Sequence, residues 1–219
     1  MRIVEITGVA GVGKSYILDM LTKKRYIVSD IELLKKYNVT DIYLLYLFFR
    51  YKNFLKILRV ILDITKELNM SILDKLNFIR NTIKKIAKNY YLSNIDFIDE
   101  RVVLVDEGIS HIYQNVVTTK TQNNLKILIL LKKLISLIDK NEIPSKIIVV
   151  DAYTPTIIER LKGRGHNRLK DSNEMEIFVK NSKKNLSVIS KNFPNVKMII
   201  NENGMDLDNL ELIKRAKDV

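Results

Sequence analysis

The chain has 219 residues, 47% of them hydrophobic, with a formal net charge of +12 and no cysteine. That length and apolar content suit one α/β domain with a real core, and the missing thiols exclude disulfides and cysteine-ligated zinc. So basic a chain raises nucleic acid as a partner, but its lysines are scattered along the whole length, with no dense basic tail and no RNA-binding aromatic signature. Specific nucleic-acid binding is therefore not expected.

Arg2 to Thr7 reads as the first strand. It begins at the N-terminus and leaves no room for a secretory leader. The longest uncharged apolar run, Ile42 to Phe49, is far short of the roughly 20 residues a membrane span needs, so a soluble, cytoplasmic protein without membrane association is expected. Directly after the first strand, Gly8-Val9-Ala10-Gly11-Val12-Gly13-Lys14-Ser15 matches the phosphate-loop pattern G-x-x-x-x-G-K-[ST] and opens into the helix-like stretch Tyr16 to Leu21. Strand before and helix after are the context this pattern requires. Its glycines let successive N–H groups turn toward a polyphosphate at the helix N-terminus. Lys14 is then expected at the β- and γ-phosphates and the Ser15 hydroxyl on Mg²⁺.

Tyr26 to Ser29 reads as a second strand. Asp30 at its end either faces a phosphoryl acceptor or, with Ser29, caps the helix that starts at Ile31. Residues 31 to 100 contain no convincing strand. Apolar residues recur there at helical spacing, at Ile42, Leu45 and Phe49, at Phe54, Ile57, Leu58, Ile61 and Leu62, and at Ile72, Leu76, Ile79, Ile83 and Ile86, which predicts about three helices. The aromatic residues of this region, Tyr43, Tyr46, Phe48, Phe49 and Tyr51, are read most simply as core and groove residues.

Val102 to Val105 predicts the third strand, ending in Asp106-Glu107. An aspartate at this point, the Walker B position, holds the hydration shell of Mg²⁺, and a neighbouring acid orients or deprotonates the attacking group. Asp106 is thus a metal candidate and Glu107 a catalytic and acceptor-side one; either could be the acceptor base, and a charged turn is the simpler alternative for both. Open α/β sheets bind ligands at the carboxyl ends of their strands, where this pair can meet the loop at Gly8 to Ser15. Residues 121 to 139 predict a helix apolar on most sides, buried against the sheet. Lys146 to Val150 and Val196 to Ile200 complete five strands that alternate with helical stretches, the pattern of a mostly parallel sheet.

After the fourth strand, Arg160, Arg164 and Arg168 follow at intervals of four around Gly163 and Gly165. The glycines should end the helix near Arg160 and leave Arg164 and Arg168 on a loop, a lid over residues 160 to 172. Such a lid would stabilise charge on the transferred phosphoryl group and exclude water; a basic helix end compensating its dipole is the alternative. His111 and His166 have no metal-ligand partner at useful spacing and read as structural.

With these three segments in order, the chain resembles the phosphate-loop kinases of the nucleoside and nucleotide group, the thymidylate kinase-like and deoxynucleoside kinase families. The resemblance implies a P-loop NTPase fold with strand order 2-3-1-4-5, ATP as donor, Mg²⁺ and an arginine lid, on one domain over residues 1 to 219. Carried across by position, it assigns phosphate and metal to Lys14 and Ser15, metal and acceptor to Asp106 or Glu107, and the transferred group to Arg160, Arg164 and Arg168. Two departures concern the acceptor. The arginine those families place after the acid of the third strand is absent, Gly108 standing there, and the glutamate-arginine-proline element after the second strand is absent too. A nucleoside, a nucleotide or another hydroxyl metabolite all remain open, with residues 31 to 100 as the region that chooses.

An ATP- and Mg²⁺-dependent small-molecule kinase is the expected function. A nucleoside triphosphatase or nucleotide switch acting on a macromolecular partner is the alternative, supported by Glu107 as a water-positioning acid, and a non-catalytic nucleotide-binding scaffold is a third reading. The oligomeric state is not fixed, and a homodimer is compatible with this outline.

Overall fold

The computed structural model describes residues 2–23, 27–95, 102–117, 124–163 and 171–202. Its centre is a sheet of five parallel strands, β1 (Arg2–Gly8), β2 (Ile27–Ser29), β3 (Val102–Asp106), β4 (Lys146–Asp151) and β5 (Val196–Ile200), in the order β2-β3-β1-β4-β5. This is the expected strand order. Consecutive β-branched residues suit a strand covered on both faces, and Ile147 to Val150 in β4 are all wholly buried. The register pairs Ile6 of β1 with Asp106 and Gly8 with Val150. That alignment brings the carboxyl ends of three neighbouring strands to one edge, where the loop after β1 begins.

Nine α-helices are described: α1 (Lys14–Thr22), α2 (Asp30–Lys36), α3 (Asp41–Arg50), α4 (Phe54–Glu67), α5 (Ile72–Asn94), α6 (Ser110–Val117), α7 (Asn124–Ser136), α8 (Thr154–Gly163) and α9 (Ser172–Asn192). Side-chain caps fix several starts. Ser29 and Glu32 form a reciprocal capping box at α2, while Thr40, Ser71 and Asp171 each accept a backbone N–H at α3, α5 and α9. Among the described residues, no helix is long and apolar enough to cross a membrane.

Among the described residues of the region 31 to 100 there are four helices, against about three expected, with Asn38 at a left-handed φ of 51° just beyond the short α2. Ile42, Leu45 and Phe49, which recur at helical spacing, do not face the core. Those residues are exposed, and Leu44 and Phe48 pack into the core instead. Nearly every position from 42 to 49 is apolar, so the sequence carries no phase from which the inward face could be read. The helix predicted over 121 to 139 is described from Asn124 to Ser136 and packs on α4, with Leu131 and Leu134 inside and Leu125 and Ile129 exposed.

Candidate active site

The loop from Gly8 to Gly13 joins β1 to α1, and its glycines serve different needs. A Cβ on Gly8 would stand 2.3 Å from the Val150 carbonyl oxygen, so this glycine is required by close approach of the neighbouring strand. Gly13 has a φ of +89°, the left-handed region, at the N-cap of α1. The Val12 carbonyl accepts from Asn201 Nδ2 at 2.7 Å and from Arg160 Nη1 at 3.3 Å. Asn201 is itself buried just beyond β5, and its N–H donates to Asp151 of β4. The loop is therefore tied to the sheet from behind.

Lys14 starts α1 and folds back over the loop, its Nζ donating to the carbonyls of Gly8 at 2.9 Å and Val9 at 3.3 Å. The same ammonium lies 3.2 Å from Glu107 Oε1. Ser15 is exposed on the first turn of the helix. Glu107 follows β3 with a left-handed φ of 51°, a sparsely populated conformation for a non-glycine residue. Its N–H donates to the Ile6 carbonyl, and its Oε2 lies 3.3 Å from His111 Nε2. Burial works to raise the Glu107 carboxyl, but His111, Lys14 and Lys85 outweigh it and hold the group below the ordinary carboxylate value. Burial, with Lys85 next in effect, pushes His111 down to about 3, so its ring is neutral at physiological pH. Its Nδ1 stands 3.4 Å from Thr7 Oγ1. The histidine buttresses the glutamate.

Asp106 carries the observation most relevant to a metal. Its Oδ1 is buried and has no hydrogen-bond partner. Burial first, and then the neighbouring Glu107 charge, raise its carboxyl. A buried carboxylate oxygen without a donor is costly, and a hydrated divalent cation would satisfy it. The residues present fit Mg²⁺ held by one carboxylate and one hydroxyl, with waters and phosphate oxygens filling the remaining positions. Among the described residues there is no cluster of three or more histidine or acidic ligands that could cage a metal by itself.

Asp30 is buried at the start of α2, where Ser29 rather than Asp30 is the cap. Its Oδ2 lies 2.5 Å from Lys88 Nζ, and its Oδ1 accepts from the Asp106 N–H at 3.4 Å. Lys88 also donates to the Asp106 carbonyl. The pair joins β3 to α5 beneath the site.

Beside Asp106 and Glu107 opens a cleft of about 530 Å³, lined from α2 by Leu34, from α3 by Asp41 and Leu44, and from α5 by Asn81, Lys84, Lys85 and Lys88. The region between β2 and β3 does form the wall facing the acidic pair. Lys85 donates to the Glu107 carbonyl, and burial lowers its ammonium to about 8. Lys84 is ion-paired with Asp41, which also meets Arg80 Nη2 at 3.3 Å.

Arg160 lies in the last turn of α8, as its spacing predicts. Its guanidinium donates to the carbonyls of Val12, Asn201 and Glu202 at 3.2 to 3.4 Å. This arginine clamps the loop to the end of β5. Arg164, His166 and Arg168, and with them most of the expected lid, lie outside the described residues.

Several contributors were not anticipated from the sequence. Glu5, wholly buried in β1, accepts from Ser110 Oγ at 2.6 Å and from the N–H groups of Ser110 and His111 at 3.0 and 3.3 Å. It thereby anchors the start of α6, and with it His111. A lone acid in a strand otherwise buried on both faces was the available signal. For Asn201 there was none, since its partner Val12 is 189 positions away.

Five parallel strands in this order, flanked by helices and carrying a glycine-rich loop after the first, define the P-loop NTPase fold. Among solved structures the chain is similar to deoxyadenosine kinase from M. mycoides. The complex of that protein with dATP aligns over 100% of both chains at 16% identity and a TM-score of 0.51. Its complex with the products dCMP and a flexible dCDP aligns over 99% of both chains at 17% identity and a TM-score of 0.50. At this identity the likeness is one of fold. No protein-family model matches the chain, and comparison with curated proteins finds none similar in sequence.

Proposed function

We propose that the protein is an ATP- and Mg²⁺-dependent kinase that transfers the γ-phosphoryl group to a small-molecule acceptor. The observation that carries this reading is the ion pair between Lys14 of the glycine-rich loop and Glu107, which together with Asp106 lines one cleft. Phosphoryl transfer needs positioning and neutralisation of charge more than covalent chemistry, and these residues supply both. The loop N–H groups and Lys14 bind the phosphates; on their arrival the Lys14 ammonium exchanges the Gly8 and Val9 carbonyls for phosphate oxygens. Ser15 and Asp106 would hold Mg²⁺, which when bound would neutralise charge developing on the phosphate oxygens. An acceptor hydroxyl in the cleft forms the new P–O bond as the bond from the γ-phosphorus to the bridging oxygen breaks. The hydroxyl proton passes to Glu107 and ADP leaves. Arg164 and Arg168 are assigned to the lid over the transferred group, and Arg160 to holding the loop.

The fold shared with a deoxyadenosine kinase supports a phosphotransferase acting on a small acceptor. The cleft also favours this reading over a nucleoside triphosphatase, which requires room for one water and a surface for its partner. The test is a metabolite screen for ATP consumption, with hydrolysis measured beside it. Acceptor-dependent ADP formation well above the hydrolysis rate is expected; steady hydrolysis unaffected by any acceptor and lost on Glu107→Gln would favour the triphosphatase.

A further inference from the structure

Glu107 holds its left-handed φ of 51° directly after β3, and a non-glycine residue keeps that conformation only where its surroundings fix it. Two of the fixing contacts are made by its own peptide groups: its N–H donates to the Ile6 carbonyl, and its carbonyl accepts from Lys85 Nζ. A third restraint lies just past it, where residues 108 to 111 close around the carboxylate of Glu5, in the middle of β1 and wholly buried.

Ser110 Oγ donates to Glu5 Oε1 at 2.6 Å, the Ser110 N–H to Oε2 at 3.0 Å, and the His111 N–H to Oε1 at 3.3 Å. Ser110 and His111 open α6, so the acid receives the first N–H groups of a helix, where negative charge is favoured. Burial raises the Glu5 carboxyl, and the bonds from Ser110 and then the charges of Lys85 and Lys88 oppose that rise. Gly108 completes the enclosure, because a Cβ there would stand 2.9 Å from Glu5 Oε2. With its oxygens engaged by three donors, the carboxylate can move aside only by giving up those bonds. The glycine that stands in place of an arginine after Glu107 is therefore matched to Glu5.

The groups facing the cleft follow from these anchored residues. His111, whose N–H is held by Glu5, has its Nε2 3.3 Å from Glu107 Oε2, and Glu107 Oε1 faces Lys14 Nζ at 3.2 Å. Building on the kinase reading, we infer that Glu5 is a positioning residue for phosphoryl transfer: by gripping the turn from Gly108 to His111 it keeps Glu107 in its left-handed conformation, with the carboxylate between His111 and Lys14. A wholly buried side chain touches no substrate, so Glu5 acts through that turn. The role needs a carboxylate, which offers two acceptor oxygens to the three donors. Glutamine has nearly the same shape, but it turns one acceptor into a donor aimed at a donor.

The experiment uses the full chain with its best acceptor and compares Glu5→Gln, Gly108→Ala and Ser110→Ala with Ile64→Ala, a truncation in the buried core of α4. Glu5→Gln and Gly108→Ala should each lower kcat by about tenfold to a hundredfold and change the ATP KM by less than about threefold, because the loop keeps its ties to Asn201 and Arg160. Ser110→Ala removes one of the three bonds and should show the same split with a smaller loss. Glu5→Gln combined with Gly108→Ala should cost no more than the worse single change, since both act on one contact. Ile64→Ala should leave the kcat of the folded protein within about twofold of the parent.

An unchanged kcat in Glu5→Gln, or in Ser110→Ala where the first variant does not fold, overturns the inference and leaves the kinase reading standing. So does a loss no larger than that of Ile64→Ala, or an ATP KM that rises as much as kcat falls. If the parent turns over no compound, the kinase reading fails instead, and the positioning is read from the His111 ring signals in NMR at pH 7 in the His166→Gln background. Displacement of those signals by Gly108→Ala and Ser110→Ala but not by Ile64→Ala supports it, and signals indifferent to the two turn variants overturn it.

Discussion

Lys14 and Glu107 face each other across the site, Nζ to Oε1 at 3.2 Å, while the same ammonium donates to the carbonyls of Gly8 and Val9. The lysine that begins α1 thus joins the loop after β1 to the acid after β3. In the proposed reaction, phosphate oxygens would compete with the Glu107 carboxylate for this one cation, so nucleotide binding would change the electrostatic surroundings of the proposed base.

The state of His111 gives a spectroscopic prediction. With its pKa lowered to about 3, mainly by burial, the ring should show no titration in NMR between pH 8 and 5, in contrast to an ordinary histidine. His166→Gln assigns the signals. The unfolded chain takes up this proton near pH 6.5 and the folded chain does not. The His111 contribution to stability is therefore present above 6.5 and lost progressively as pH falls toward 3, by up to about 1.4 kcal/mol per pH unit. Denaturation of His111→Gln against the parent at pH 7 and pH 5 checks the sign: the variant should lose less stability on acidification.

Glu142 titrates in the opposite sense. It is buried and accepts a 2.8 Å hydrogen bond from Tyr51, and burial raises its carboxyl to about 7. The folded chain holds this proton more tightly than the unfolded chain, whose value is 4.5. The stabilisation is thus complete below 4.5 and lost as pH rises to 7. Glutamine mimics the protonated acid, so Glu142→Gln should be more stable than the parent at pH 8 by about 2 kcal/mol, and indistinguishable near pH 4.5. Urea unfolding at the two pH values measures this.

The glycines separate into required and replaceable ones. Gly8→Ala forces a Cβ against the Val150 carbonyl and should destabilise by about 3 kcal/mol or more. Gly163 has nothing within 4 Å of such a Cβ. Gly163→Ala, at the end of α8, should be neutral or stabilising by about 0.5 kcal/mol. Thermal midpoints of the two variants test the contrast.

The tie behind the loop predicts a stability effect coupled to nucleotide binding. Asn201→Ala removes a 2.7 Å bond to the Val12 carbonyl in a buried position and should cost about 1 to 3 kcal/mol. It should also weaken ATP binding, because Gly13 and Lys14 follow directly on the loosened carbonyl. Calorimetric titration with ATP beside urea unfolding separates the two effects; unchanged affinity would limit Asn201 to a packing role.

The parts of this molecule that the sequence reveals are those whose determinants are local. The strands were legible because a parallel strand buried on both faces is an uninterrupted run such as Val102 to Val105. The loop was legible because its glycines, lysine and serine are contiguous. The wall of the cleft was hidden, since Lys84, Lys85 and Lys88 are indistinguishable from solvated lysines until the fold places them beside Asp106 and Glu107. Their spacing with Asn81 placed all four on one helix face, a signal obscured by the abundance of lysine elsewhere. Asp30 illustrates the same limit. Its position beside a cap residue was readable, whereas its ion pair with Lys88, 58 positions away, exists only in the fold.

The central claim, transfer from ATP to a small acceptor at a site built on Lys14, is tested most directly by quantifying ADP and phosphorylated acceptor together in the wild-type chain and in Lys14→Ala. The account predicts equal amounts of the two products from the wild type, and a loss of at least about a hundredfold in the variant with the fold retained by circular dichroism. ADP accompanied only by free phosphate, or undiminished transfer by Lys14→Ala, would contradict it.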